Sequence, residues 1–190
     1  MNAYRRRIWR EFEDILSELK CNRVLDFGSG DGWFASQVVN AAVCSELQAV
    51  DVKRRDNVHF EPITYPGGAL PFPDRAFDLV YAVDVLHHCD DPISQLDELA
   101  RVSSSYLLLK DHTYYSTMGK WALAILDELG NRRFGIPSPH HYQHAWSWDS
   151  HLQATGWKRI RLIHPMRCHG GILGTLTNRL QYIALYGRSG

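Results

Sequence analysis

The chain lacks an excess of either charge: 21 Lys and Arg stand against 21 Asp and Glu in 190 residues. Broad nucleic-acid binding needs a positive surface that displaces counterions, so the balance argues against that class. Cysteine is scarce. Cys21, Cys44, Cys89 and Cys168 include no pair at metal-ligand spacing and outline no disulfide framework, which fits a reducing compartment. Long apolar runs are missing too, so no membrane span is expected. Glu11, Glu13 and Asp14 interrupt the start where a secretory signal needs an apolar core, and a cytoplasmic location is expected. There is no internal repeat and no low-complexity tract. This length suits one domain, 1–190, large enough to bury a proper core. The one basic cluster, Arg5-Arg6-Arg7, reads as a solvated helix face.

What is present is a concentrated glycine signal. Residues Val24 to Phe34 read V-L-D-F-G-S-G-D-G-W-F. An apolar run ends in Asp26, then Gly28, Gly30 and Gly32 alternate with Ser29 and Asp31, and a helix-like stretch follows. This is a buried strand feeding a tight turn in which glycine supplies unusual backbone angles and room for a ligand. Such a turn after the first strand of an α/β unit is where nucleotide-like cofactors lie. Two common uses are excluded. Trp33 stands where a dinucleotide fingerprint has its third glycine, and no Lys-Ser/Thr pair follows as in a P-loop.

Asp51, in L-Q-A-V-D-V, ends the next apolar run, where a carboxylate can accept both ribose hydroxyls. The third signal is Leu70 to Asp90, L-P-F-P-D-R-A-F-D-L-V-Y-A-V-D-V-L-H-H-C-D. The G-x-G-x-G spacing, Asp51 and this segment, in that order, resemble class I S-adenosylmethionine-dependent methyltransferases, in the small-molecule branch that includes the ubiquinone and menaquinone enzymes. The resemblance covers about Val24 to Lys110. It implies S-adenosylmethionine as cofactor and S-adenosylhomocysteine as product. It implies a cofactor-binding set of Asp26, Gly28, Ser29, Gly30, Gly32, Asp51, Val52, Gly68, Ala69, Leu70, Asp84 and His88. Two departures stand out. Pro66 lies near the place of the acid that usually meets adenine, which shifts that task to backbone around Gly68, Ala69 and Leu70. Arg101-Val102-Ser103-Ser104-Ser105 replaces the usual L-K-P-G-G turn.

The pattern predicts a Rossmann-like α/β fold: a seven-stranded, mostly parallel sheet with flanking helices and an antiparallel last strand. A leading amphipathic helix places Ile8, Phe12, Ile15, Leu16 and Leu19 on one face. Strands are expected at Arg23–Phe27, Leu47–Val52, about Val58–Ile63, Phe77–Val83, Tyr106–Lys110, Trp157–Ile163 and Leu180–Tyr186. Helices are expected from about Gly32 to Ala42, after Pro92 with Ile93, Leu96, Leu99 and Ala100 inward, from Gly119 to Leu129 before a Gly130-Asn131 stop, and from a Ser147 cap to Thr155. The short links around strand three leave no room for a full helix. The link holding Gly170, Gly171 and Gly174 reads as mobile.

Residues 111–146 break the alternation after strand five, where ligands bind in open α/β folds. They read as a substrate lid or as an insertion covering the sheet edge. Asp111 and His112 are candidate orienter and base for an acceptor's proton, or a helix-cap acid beside a structural histidine. His87 and His88 read mainly as packing residues. His140, His141 and His144 invite a metal, but Pro137 and Pro139 favour a loop and no carboxylate partner is evident, so none is expected. Tyr114, Tyr115, Trp121, Trp146 and Trp148 line an aromatic pocket or pack the core and lid.

The expected activity is methyl transfer to a small-molecule or a lipid- or sugar-linked metabolite. An RNA or protein methyltransferase is the alternative, although no N/D-P-P-Y/F tetrad and no Pro-Cys nucleophile occurs. A non-catalytic cofactor-binding partner subunit is another. The oligomeric state stays open.

Overall fold

The computed structural model describes residues 2–131 and 140–189. Among them the chain runs α1 (Ala3–Glu18), β1 (Arg23–Phe27), α2 (Trp33–Asn40), β2 (Glu46–Asp51), β3 (Ile63–Thr64), β4 (Phe77–Val83), α3 (Pro92–Val102), β5 (Ser103–Tyr114), α4 (Thr117–Asn131), β6 (Gln143–His144), α5 (Ser147–Ala154), β7 (Trp157–Ile163), α6 (Gly171–Thr177) and β8 (Gln181–Arg188). The sheet order is β3-β2-β1-β4-β5-β8-β7. Strands β1 to β5 are parallel, and β8 runs antiparallel to both β5 and β7. The mixed Rossmann-like sheet is the expected one, with one extra short strand: β6 pairs parallel with the far end of β5, Thr113 opposite Gln143.

The central strands are apolar at nearly every position because both faces are covered. Leu25, Val80, Leu107 and Leu109 point into one layer with Leu96, Leu99 and Val102 of α3 and Trp148 and Leu152 of α5. Val24, Leu79, Tyr81 and Leu108 alternate into the other, against Ile8, Phe12, Ile15 and Leu16 of α1. Phe12 meets Tyr81 edge-on at 5.9 Å. Each such fully buried side chain contributes about 1.5–3 kcal/mol. Helix α3 starts as its sequence dictates: Pro92 opens it, and the Asp91 carboxylate accepts the Ile93 and Ser94 amides.

Six expectations need correction. Strand three is Ile63–Thr64 rather than Val58–Ile63. The residues before it are drawn back to the glycine turn, where the His59 amide donates to the Asp31 carbonyl at 2.7 Å. Strand β5 continues to Tyr114, so Asp111 and His112 lie within it and the irregular segment starts after it. The link around Gly170 holds α6 rather than an unstructured span, with Gly174 packed on the His169 carbonyl. Helix α5 is capped by the Gln143 side chain, which accepts from the Trp148 and Asp149 amides, not by Ser147. Of the three arginines only Arg6 is solvated. Arg5 pairs with Asp31 at 2.7 Å, and Arg7 donates to the Cys168 carbonyl. Helix α4 runs through Gly130 to Asn131, and Pro137 and Pro139 lie outside the described residues.

Candidate functional site

The glycine turn and the ends of β4 and β5 meet at one edge of the sheet. In the turn, the Gly28 and Ser29 amides both donate to the Val50 carbonyl, and Gly32 donates to Ser29. Gly28, Gly30 and Gly32 all have positive φ, 68°, 62° and 70°, but they answer to different neighbours. A Cβ on Gly28 would overlap the Val85 side chain at 2.1 Å. One on Gly32 would overlap the Phe60 backbone oxygen at 2.4 Å. One on Gly30 would meet only the mobile tip of Arg55, at 3.1 Å. Gly28 and Gly32 are therefore required by the chain's own packing, while at Gly30 an added atom meets only the far end of a flexible side chain.

Asp51 sits beside Gly30. Its Oδ2 accepts the Gly30 amide at 2.7 Å and its Oδ1 the Lys53 amide at 3.1 Å, so both oxygens are fixed and each keeps a lone pair. Val52 is largely exposed next to Gly67, and Gly68 and Ala69 are exposed after it. Leu70 is different: it is buried, and its amide donates to the Glu98 carboxylate at 2.8 Å, so it does not offer that amide to a ligand. The loop from Leu70 to Asp74 is pinned by Arg101 of α3. Arg101 donates to Leu70 and Phe72 carbonyls and to the Glu98 and Asp74 carboxylates.

Asp26 lies beneath the turn, 2% exposed. Burial pushes its carboxyl up to about 7, and the nearby Asp51 carboxylate adds to this. The Tyr81 hydroxyl beside it opposes the rise without meeting hydrogen-bond geometry, and Oδ2 of Asp26 has no hydrogen-bond partner among the described residues.

The ends of β4 and β5 carry a polar network. Lys110 is fully buried and donates to Asp84, to the Gln181 side-chain oxygen at 2.6 Å and to the Tyr4 hydroxyl at 2.6 Å. Tyr4, from the first turn of α1, donates to Asp84 at 2.6 Å. Asp84 itself takes a left-handed backbone, φ 53°. Burial would raise its pKa, but Lys110 and His112 outweigh it and hold it below the usual value.

Next along β5, Asp111 Oδ1 receives three donors: His87 Nδ1 at 2.6 Å, the His112 amide at 2.8 Å and His112 Nδ1 at 3.1 Å. Burial opposes charge on His87, yet Asp111 and Asp127 push it up to about 10. Burial would raise Asp111, but His87 and His112 hold it well below the carboxylate range. His112 goes the other way, lowered by burial and by Lys110, and so is neutral at pH 7. Its side chain is 13% exposed against 1% for His87. Asp127 of α4 lies 3.8 Å from His87 Nε2 and 3.6 Å from His88 Nε2, and accepts from the Tyr142 hydroxyl at 3.0 Å.

The structure thus divides the expected residues. Asp26, Gly28, Ser29, Gly30, Gly32, Asp51 and Val52 gather at the turn. Asp84 joins Lys110, and His88 sits with Asp127 rather than with the turn. Asp111 and His112 do pair, but His87 makes the shorter bond to Asp111. Of the three expected loop histidines, His140 reaches Tyr142 at 3.0 Å, His141 bonds the Cys89 carbonyl, and His144 lies in β6 with its ring tilted against Tyr114. Trp146 and Trp148 pack into the core, whereas Tyr115 and Trp121 face outward. Tyr4, Arg55 and Asp127 carried no readable signal, since each reaches the site from a distant part of the chain.

Residues 1–162 match the family model described as a methyltransferase domain. The chain belongs to this family. The methyltransferase is similar to the tRNA U34 carboxymethyltransferase of Methylococcus capsulatus, 32% identical over 103 residues, 48% of this chain and 32% of that protein. It is similar to the malonyl-[acyl-carrier protein] O-methyltransferase of Erwinia billingiae, 34% identical over 87 residues, 43% and 35% of the two chains. The chain spans less than two thirds of the length of the curated relatives it matches. In fold it is similar to the S-adenosylmethionine-dependent methyltransferase of Mesorhizobium loti, TM-score 0.67 at 15% identity, covering 96% of this chain and 97% of that one. The chain carries a methyltransferase domain with the Rossmann-like fold of that structure. Among the described residues no helix is long and apolar enough to cross a membrane.

Proposed function

We propose that this domain transfers a methyl group to a hydroxyl or amine of a small-molecule or a lipid- or sugar-linked metabolite, with His112 as base and Asp111 as its orienter. The observation that carries this reading is His112 itself: a neutral, partly open imidazole at the sheet edge whose Nδ1 is held by Asp111. With Nδ1 donating, Nε2 is the basic atom, and it can take the acceptor's proton as the new bond to carbon forms.

The turn fits the implied cofactor. The two Asp51 oxygens suit a ribose diol, and Asp26 supplies a buried carboxylate oxygen with no partner among the described residues, suited to an ammonium. Val52, Gly67, Gly68 and Ala69 offer a flat wall for adenine. When bound, S-adenosylmethionine supplies an electrophilic sulfonium methyl and leaves as S-adenosylhomocysteine. The protein's part is to orient the acceptor and remove its proton. The balanced net charge supports a metabolite over a nucleic acid.

Calorimetry should show both S-adenosylmethionine and S-adenosylhomocysteine binding, and Asp51→Ala should weaken each by about 1.5–3 kcal/mol, the scale of hydrogen bonds lost from a charged group. A metabolite-extract screen with isotopically labelled methyl donor identifies the acceptor. With it, His112→Gln should slow transfer about 10²–10⁴-fold. The wild-type rate should fall only on the acid side, below the ordinary imidazole range, because His112 is lowered. Full activity in His112→Gln would sink the assignment of the base.

A further inference from the structure

We propose that His87, His88 and Asp127 form a site for a divalent transition metal ion of the zinc class. His87 and His88 leave β4 in a single 3-10 turn, Leu86–His88, with ring centroids 4.2 Å apart. Asp127 reaches both from α4. Its Oδ1 lies 3.6 Å from His88 Nε2 and 3.8 Å from His87 Nε2, and one donor atom from each of the three residues lies within 4.8 Å of the others. These separations are too long for hydrogen bonds. The two Asp127 distances are close to the spacing of ligands around one ion: bonds of about 2.0–2.1 Å at tetrahedral angles put donor atoms about 3.3 Å apart. Closing the two Asp127 distances needs shifts of about half an ångström or less, and the two imidazoles turn toward each other to close theirs.

The donor set is two imidazoles and one carboxylate, which suits zinc and its neighbours rather than calcium or magnesium. Orientation is already supplied. His87 uses its other nitrogen to hold Asp111 at 2.6 Å, the carboxylate–histidine arrangement that fixes a ligand's ring. Tyr142 donates to Oδ2 of Asp127 and sets that carboxylate. His140 Nδ1 lies 3.7 Å from the same oxygen and meets the Tyr142 hydroxyl at 3.0 Å. The neighbouring trio of His87, Asp111 and His112 fails the same test. Its Nδ1–Oδ1 distances of 2.6 and 3.1 Å are hydrogen-bond lengths and leave no room for an ion.

An ion there ties α4, the helix after β5, to the turn after β4. The site rests on no assumption about methyl transfer, and its test needs neither cofactor nor acceptor. Chelator-stripped full-length protein is titrated with zinc by calorimetry and with cobalt(II) by visible absorption. The expected result is one ion per chain, tetrahedral cobalt bands and a raised melting temperature. Asp111→Asn should weaken binding about 10–100-fold, as for an outer-shell partner, and His88→Ala or Asp127→Asn by more. If Asp127→Asn does not fold by circular dichroism, His88→Gln carries the same test. Wild-type protein that retains neither ion stoichiometrically overturns the proposal. So does binding unchanged in folded His88→Ala and His88→Gln, which would put the ion on other histidines.

Discussion

The glycine turn is built of backbone, whereas the group at the ends of β4 and β5 is built of side chains. In the turn, amides of residues 28, 29 and 30 are closed by Val50 and Asp51, and two of the three glycines fit against the chain itself. At the ends of β4 and β5, Tyr4 of α1, Asp84, His87, Lys110, Asp111, His112 and Asp127 of α4 share hydrogen bonds and charges across most of the chain. A backbone cradle tolerates no added atom. A charged network tolerates no missing one.

The largest expected effect lies in the network. Lys110→Met removes the ammonium that Asp84 and Gln181 share and should cost about 3–5 kcal/mol, because it leaves a partly buried carboxylate uncompensated. Denaturant titration measures this. Adding Asp84→Asn should recover part of the loss, and no recovery would mean that the two residues are not a coupled pair.

The turn comes next. Gly32→Ala should cost about 2–4 kcal/mol in stability, combining left-handed strain with a clash against Phe60 backbone. Gly30→Ala should cost about 1–2 kcal/mol, the strain alone, while losing proportionately more cofactor affinity. Equal stability losses in the two would erase the distinction between packing glycine and ligand-facing glycine.

The turn also carries a pH dependence. Asp26 is raised from 3.8 to about 7 by burial, so the folded state binds more protons than the unfolded state between those values. Its contribution to stability therefore declines as pH rises from about 4 to about 7. Asp26→Asn should lose that slope and gain on wild type between pH 5 and 8. Parallel slopes in melting curves would show that Asp26 does not titrate in this window.

This contrast also explains what the sequence made legible. Strands β1, β4 and β7 are read to the residue because apolar runs and their boundaries are local. Gly28 to Gly32 and Asp51 are read for the same reason: a turn and a strand end lie within one short segment. Strand three was misplaced because Phe60 is held by Gly32, a contact that no local pattern announces. Asp111 and His112 were recognised as a pair, but not their place inside a long β5, whose end is fixed by pairing with β6 and β8. Asp127 could not be tied to His87 and His88 because periodicity in α4 says which face is apolar, not which acid meets a turn some forty residues earlier.

Arg101 has a further consequence. Its guanidinium fastens Leu70, Phe72, Asp74 and Glu98 into one piece with α3. The conformational entropy of ordering that loop is lost once, when the chain folds, and not again at each encounter with a ligand. Binding at the adjoining wall then draws on a surface already in shape, so its affinity is set by contact rather than by the cost of organising the loop.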